Sequence, residues 1–169
     1  ANSVYGATDE AYIADIYYAA SAQIVAKAAE VLGLEETRQE YQKIADRQWQ
    51  VVKEEYFTAT GRCAVKTQTG LILALKYHLS ENEELTKQML QKLLRDNKNK
   101  LNTGFVGTPL LCNALTDHGM TDAAYRLLLN KEYPGWLHEV KLGATTVWER
   151  WNSLDESGHV SSTGMNSLN

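Results

Sequence analysis

The chain has 169 residues, 44% of them apolar and 22% charged, with a formal net charge of -4. That composition suits one folded domain and argues against disorder, and a mildly acidic balance with no Lys/Arg run interleaved with aromatics argues against nucleic acid as a partner. No stretch of 18 apolar residues occurs and the opening Ala-Asn-Ser-Val-Tyr has neither a basic nor an apolar leader region, so no membrane partner and a cytoplasmic setting are expected. Cys63 and Cys112 lie far apart and no Asn-x-Ser/Thr site is present, which suggests two unpaired structural thiols in the same setting.

In chain order, the first periodic segment covers residues 9 to 33. Asp9 stands as N-cap, apolar residues recur at three- and four-residue steps through Ala14, Tyr17, Tyr18, Ala22, Val25, Ala29 and Leu32, and Gly33 closes it. Residues 35 to 56 repeat the pattern with Tyr41, Ile44, Ala45, Trp49 and Val52, so an antiparallel helical hairpin is predicted. A second pair is predicted over 67 to 79 and 81 to 96, with Ser80 as cap and Glu83 three residues on. A third runs from Pro109 to His118, ends at Gly119, and returns over 122 to 130. In each pair the first helix is richer in small and apolar residues and the second, in the first two pairs, carries a strongly charged face, as an inner and an outer ring of helices would. The fold class is therefore all-α.

Several motifs fail on inspection. Thr103 to Thr108 has two glycines but neither the Lys-Ser/Thr end nor the strand context of a phosphate loop. His138-Glu139 begins like a zinc-protease helix, but Leu142 occupies the second histidine's place. His78 and His118 stand at helix ends, where a helix dipole accounts for them, and no metal or other cofactor is expected. Asp9, Glu10 and Asp15 lie near a helix start, where capping is the ordinary role. Glu149 has unusual company: it sits between Trp148 and Trp151 and beside Arg150. Those residues alone leave two readings open, an ion-paired glutamate among core tryptophans or a carboxylate flanked by flat faces on which a sugar can stack.

Three segments occur in order: Thr103-Gly104-Phe105-Val106-Gly107-Thr108-Pro109, then Gly143-Ala144-Thr145-Thr146-Val147-Trp148-Glu149-Arg150-Trp151, then Met165-Asn166-Ser167-Leu168-Asn169. They resemble the catalytic domain of the α-L-rhamnosidases of glycoside hydrolase family 78. The resemblance is highly specific from residue 101 onward and looser before it. It implies an (α/α)6 toroid, of which the three hairpins make about half, so residues 1 to 169 read as one partial domain from the C-terminal portion of such a catalytic domain. It also implies an inverting hydrolase that releases terminal α-L-rhamnose, with Glu149 as general base. The family's general acid lies in an upstream Arg-x-Glu-Arg-x-Gly-Trp segment that does not occur here, and members continue past the position of Asn169 with a His-Tyr.

On this reading the isolated piece is expected to be inactive, and its exposed inner helices to favour self-association or the missing N-terminal half. A 6-deoxy sugar needs an apolar wall for its methyl group and polar partners for its hydroxyls. Phe105, Trp136 and Trp151 suit the first duty, Thr103 and Asn166 the second, with Gly104 allowing close approach. Two alternatives remain: a toroid glycosidase for another sugar, since fold does not fix substrate, and a non-catalytic helical-hairpin module that binds a protein or a glycan. The latter expects Glu149 to be ion-paired and remote from any cleft.

Overall fold

A computed structural model describes residues 7–154 and 159–160. Among the described residues seven helices follow in order: α1 (Glu10–Val31), α2 (Glu35–Tyr56), α3 (Gln68–Lys76), α4 (Glu83–Asp96), α5 (Thr108–Asp117), α6 (Thr121–Leu128) and α7 (Trp136–Lys141). Among the described residues, extended pairing is confined to the isolated bridges Phe57–Cys63 and Leu154–Val160. The first six helices form the three expected hairpins, α1 with α2, α3 with α4, and α5 with α6.

The boundaries follow local chemistry. Asp9 caps α1, its Oδ1 accepting from the Tyr12 N–H at 2.9 Å. Gly33 at φ +69° and Gly119 at φ +75° take the left-handed turn past the ends of α1 and α5, as expected of glycines at those sites. The cap of α4 differs from expectation: Asn82 Oδ1 accepts from Leu85 N at 3.0 Å, and the helix starts at Glu83. Ser80 is occupied elsewhere. Its hydroxyl donates to Gly61 O at 2.6 Å and accepts from Asn82 N at 2.9 Å, tying the α2–α3 connection to the α3–α4 turn. Asp15 is also not a cap. Its carboxylate accepts from Gln48 Nε2 at 3.0 Å and from the Tyr56 hydroxyl at 2.9 Å, so it pins α1 to α2.

The inner and outer assignment of the helices is visible in burial in the first two hairpins, whereas α5 and α6 bury three residues each. Every residue of α3 from Gln68 to Leu75 is buried, whereas α2 buries only Ala45 and Val52 along 22 residues. Inner helix α3 packs on both α1 and α5. The main cluster gathers Tyr12, Ile16, Leu71, Ile72, Leu75, Leu90, Leu111, Leu115 and Leu127, each at most 1% exposed and each adding roughly 2 kcal/mol of burial. Tyr12 carries its polar end into this core by donating to Gly70 O at 3.0 Å. Both cysteines are free, and burial pushes both thiols above their ordinary range, which makes them structural rather than reactive.

Candidate active site

Two loops meet at the N-terminal end of α5. The first, residues 102–107, is set by the N-terminus of α3. The buried Gln68 amide donates to Lys100 O at 2.9 Å, and its oxygen accepts from Asn102 N at 2.9 Å. Leu101, 2% exposed, anchors the same segment in the core. Next, the Thr103 and Thr108 hydroxyls pair at 2.8 Å across the turn, and Thr108 N donates to Gly104 O at 3.0 Å. Gly107 lets this loop lie on α3: a Cβ there would stand 2.4 Å from Thr69 Oγ1 and 3.0 Å from Thr103 Cγ2. Its backbone is ordinary, at φ -85°, so the requirement is one of space. Gly104, by contrast, has nothing within 4 Å of an added Cβ.

Gly107→Ala is therefore expected to cost about 1–3 kcal/mol through overpacking, while Gly104→Ala leaves stability near wild type. Thermal melts of the two variants measure the difference, and equal midpoints would contradict this account of the loop.

The second loop follows α7, a short helix not anticipated from the sequence. It enters through the cis Tyr133–Pro134 bond and Gly135. Glu139 on α7 is the residue that sequence reasoning missed. At 2% exposed it accepts from the Trp148 N–H through Oε2 at 3.3 Å, and its own carbonyl accepts from Ala144 N at 3.0 Å. Its Oε1 has no hydrogen-bond partner among the described residues, and burial raises its pKa to about 7 against the single opposing hydrogen bond. The only signal was a carboxylate close to the apolar Trp136, Leu137 and Val140. Beyond it the chain turns at Arg150–Ser153, where the Ser153 hydroxyl donates to Arg150 O at 2.9 Å.

The loops close on each other through Trp151, whose Nε1 donates to Thr103 O at 2.9 Å and whose ring meets Trp136 edge to face at 5.5 Å. Between them lies a cleft of about 610 Å³ lined by Thr103, Gly104, Phe105, Trp136, Glu149 and Trp151, together with Thr108, Pro109, Val147, Trp148, Arg150 and Asn152. Six of the seven residues singled out in the sequence thus share one cavity, and Asn166 lies outside the described residues. Glu149 is half-buried on that cavity, not remote from it as the binding-module reading expects. Phe105 is 75% exposed and forms the open rim. Thr103 is fully buried and its hydroxyl is engaged by Thr108, so it builds the wall instead of offering a free hydroxyl.

The family model of the bacterial alpha-L-rhamnosidase 6 hairpin glycosidase domain matches residues 1–169. An alpha-L-rhamnosidase of Formosa agariphila is 38% identical over 167 residues, 97% of this chain and 18% of that protein. One from an Alteromonas species is 36% identical over 168 residues, again 97% of this chain and 18% of the relative. The crystal structure of native α-L-rhamnosidase from Aspergillus terreus superposes with a TM-score of 0.90 at 31% identity, covering 97% of this chain and 19% of that one. That of the Streptomyces avermitilis enzyme, complexed with L-rhamnose, gives 0.87 at 32% identity over 98% of this chain and 16% of the other. The chain thus spans less than a fifth of the length of these relatives, and its three hairpins belong to the six-hairpin toroid. A family model matched along the whole chain and helices that superpose on solved relatives lead to one conclusion: this chain belongs to the bacterial α-L-rhamnosidase six-hairpin glycosidase family.

Proposed function

We propose that the protein hydrolyses terminal α-L-rhamnosides with inversion and that this chain supplies the general base, Glu149. The observation that carries the reading is the position of Glu149 on a cleft walled by Trp136, Trp151 and Phe105. Its support is twofold: relatives at 36–38% identity are rhamnosidases, and a superposable relative was crystallised with L-rhamnose. In an inverting reaction a protonated carboxyl gives its proton to the leaving oxygen. A carboxylate on the opposite face takes one from water, and the two groups stand roughly 6.5–9.5 Å apart so that the water fits between base and sugar. Glu149 takes the second part. The acid is assigned to residues outside this sequence, which lacks the acidic segment that carries it in the family.

The cleft chemistry suits a 6-deoxy sugar. Aromatic faces at Trp136 and Trp151 and the Phe105 rim cover its methyl group and apolar ring face, while Glu149 and the half-buried Asn152, which line the same cleft, supply polar groups for the hydroxyls. Asn166 is proposed as a further hydroxyl partner.

The test is proton NMR of the full-length protein acting on an aryl α-L-rhamnoside. The β-anomer is expected to form first and to mutarotate later. Early appearance of the α-anomer would overturn the inverting reading, and hydrolysis of other aryl glycosides in preference to the rhamnoside would overturn the substrate.

A further inference from the structure

At the opposite end of α5 from the cleft, three elements bring His78, Glu83 and His118 together, with one ligand atom of each within 4.8 Å of the others. We propose that this cluster is a binding site for a borderline divalent transition ion of the zinc type, which ties the C-terminal ends of inner helices α3 and α5 to the start of α4. The proposal is independent of the glycosidase reading and does not involve the cleft.

The first observation is the state of His118. Its Nδ1 lies 2.8 Å from Ala114 O, and a carbonyl can only accept, so Nδ1 donates there and Nε2 is the nitrogen left to face a ligand. Fixing one ring nitrogen on a backbone carbonyl is how proteins set the tautomer and direction of a metal-binding imidazole. The side chain is 11% exposed and Nε2 stands 3.9 Å from Glu83 Oε2, too far for a hydrogen bond. Two donors about 2.1 Å from one tetrahedral zinc stand roughly 3.4 Å apart, so a small closing of this gap brings both onto the ion.

The second observation is the backbone of His78. It takes a left-handed φ of +50° just past α3, a position that glycine fills at the ends of α1 and α5. Holding a non-glycine residue there has a conformational cost, and the result is a ring whose Nδ1 reaches Glu83 Oε1 at 2.5 Å. A metal ion displaces the proton of that bond and spreads the two atoms, which the 71%-exposed His78 side chain has room to permit.

The surroundings favour a cation. The last carbonyls of α3 and of α5 both end here and their partial negative charge adds to the carboxylate, offset in part by the first turn of α4, which carries Glu83. Two imidazoles and one carboxylate select zinc-like ions over calcium or magnesium, which prefer oxygen ligands, and a position remains for water or a fourth group.

The experiment is calorimetric titration of ZnCl₂ into full-length protein stripped with EDTA and desalted, beside the variants H78A, E83Q and H118Q, with Co²⁺ absorption as an independent probe. Wild type is expected to bind one more equivalent than H118Q, at micromolar affinity or tighter, with a rise in melting temperature and visible cobalt bands. H78A and E83Q should each weaken binding by about ten- to a hundredfold. H78A alters an exposed side chain and keeps the test usable if H118Q fails to fold. Identical zinc stoichiometry and affinity in wild type and H78A, or absence of saturable binding in wild type, would overturn the site and leave a plain histidine–carboxylate ion pair.

Discussion

Glu149→Gln in the full-length protein is expected to lower kcat on an aryl rhamnoside by about a hundred- to ten-thousandfold, the usual contribution of a positioned general base. Glutamine keeps the size of the side chain and its hydrogen-bonding reach but cannot accept the proton of an attacking water. KM should move little, because the aromatic walls at Trp136 and Trp151 are untouched. A melting temperature equal to that of wild type would show that the loop has kept its shape. A kcat within a few-fold of wild type would remove Glu149 from the reaction and return it to the category of a paired surface glutamate.

The second large effect is on stability and its dependence on pH, and it concerns Glu139. Burial without a compensating cation raises the folded pKa to about 7 from an ordinary value near 4.5. Between those values the native state holds a proton that the unfolded chain has released, so stability falls as pH rises. The contribution is fully present below about 4.5 and is lost as pH climbs through about 7, with an upper magnitude of about 3 kcal/mol. Glu139→Gln stays neutral throughout and retains an oxygen for the Trp148 N–H. It should match wild type at pH 5 and exceed it at pH 8 in thermal or denaturant midpoints. Parallel pH dependence in the two proteins would show that the carboxyl is not held in its neutral form.

Most of the scaffold is written in local chemistry. The three- and four-residue steps of α1 and α2, the Asp9 cap, and Gly33 and Gly119 past helix ends all act within a few residues, and sequence reasoning captures them. Ser80 and Asp15 were misread because each had a plausible nearby partner, while the one chosen, Gly61 O or the α2 residues Gln48 and Tyr56, lies 19 to 41 positions away. The cleft residues were legible as loop segments shared with a family, and their convergence rests on Trp151 reaching Thr103 across 48 residues. Glu139 was hidden because nothing in residues 136–141 says that the following loop will fold over it. The His78–Glu83–His118 cluster escaped because its third member comes from another hairpin, and metal spacing read along a chain finds only ligands that share an element.

The Trp151–Thr103 hydrogen bond has a further consequence. Its acceptor is a backbone carbonyl, which no side-chain substitution removes, and its donor belongs to the same ring that packs on Trp136. The spacing between the cleft's two walls is thus carried by one tryptophan, while the Phe105 ring stands clear at the rim, 75% exposed. Trp151 therefore combines a mechanical duty with contact, whereas Phe105 is left with contact alone. Libraries aimed at new glycosides can vary residue 105 freely and hold residue 151 constant, so that changes in preference arise on a cavity whose width does not drift.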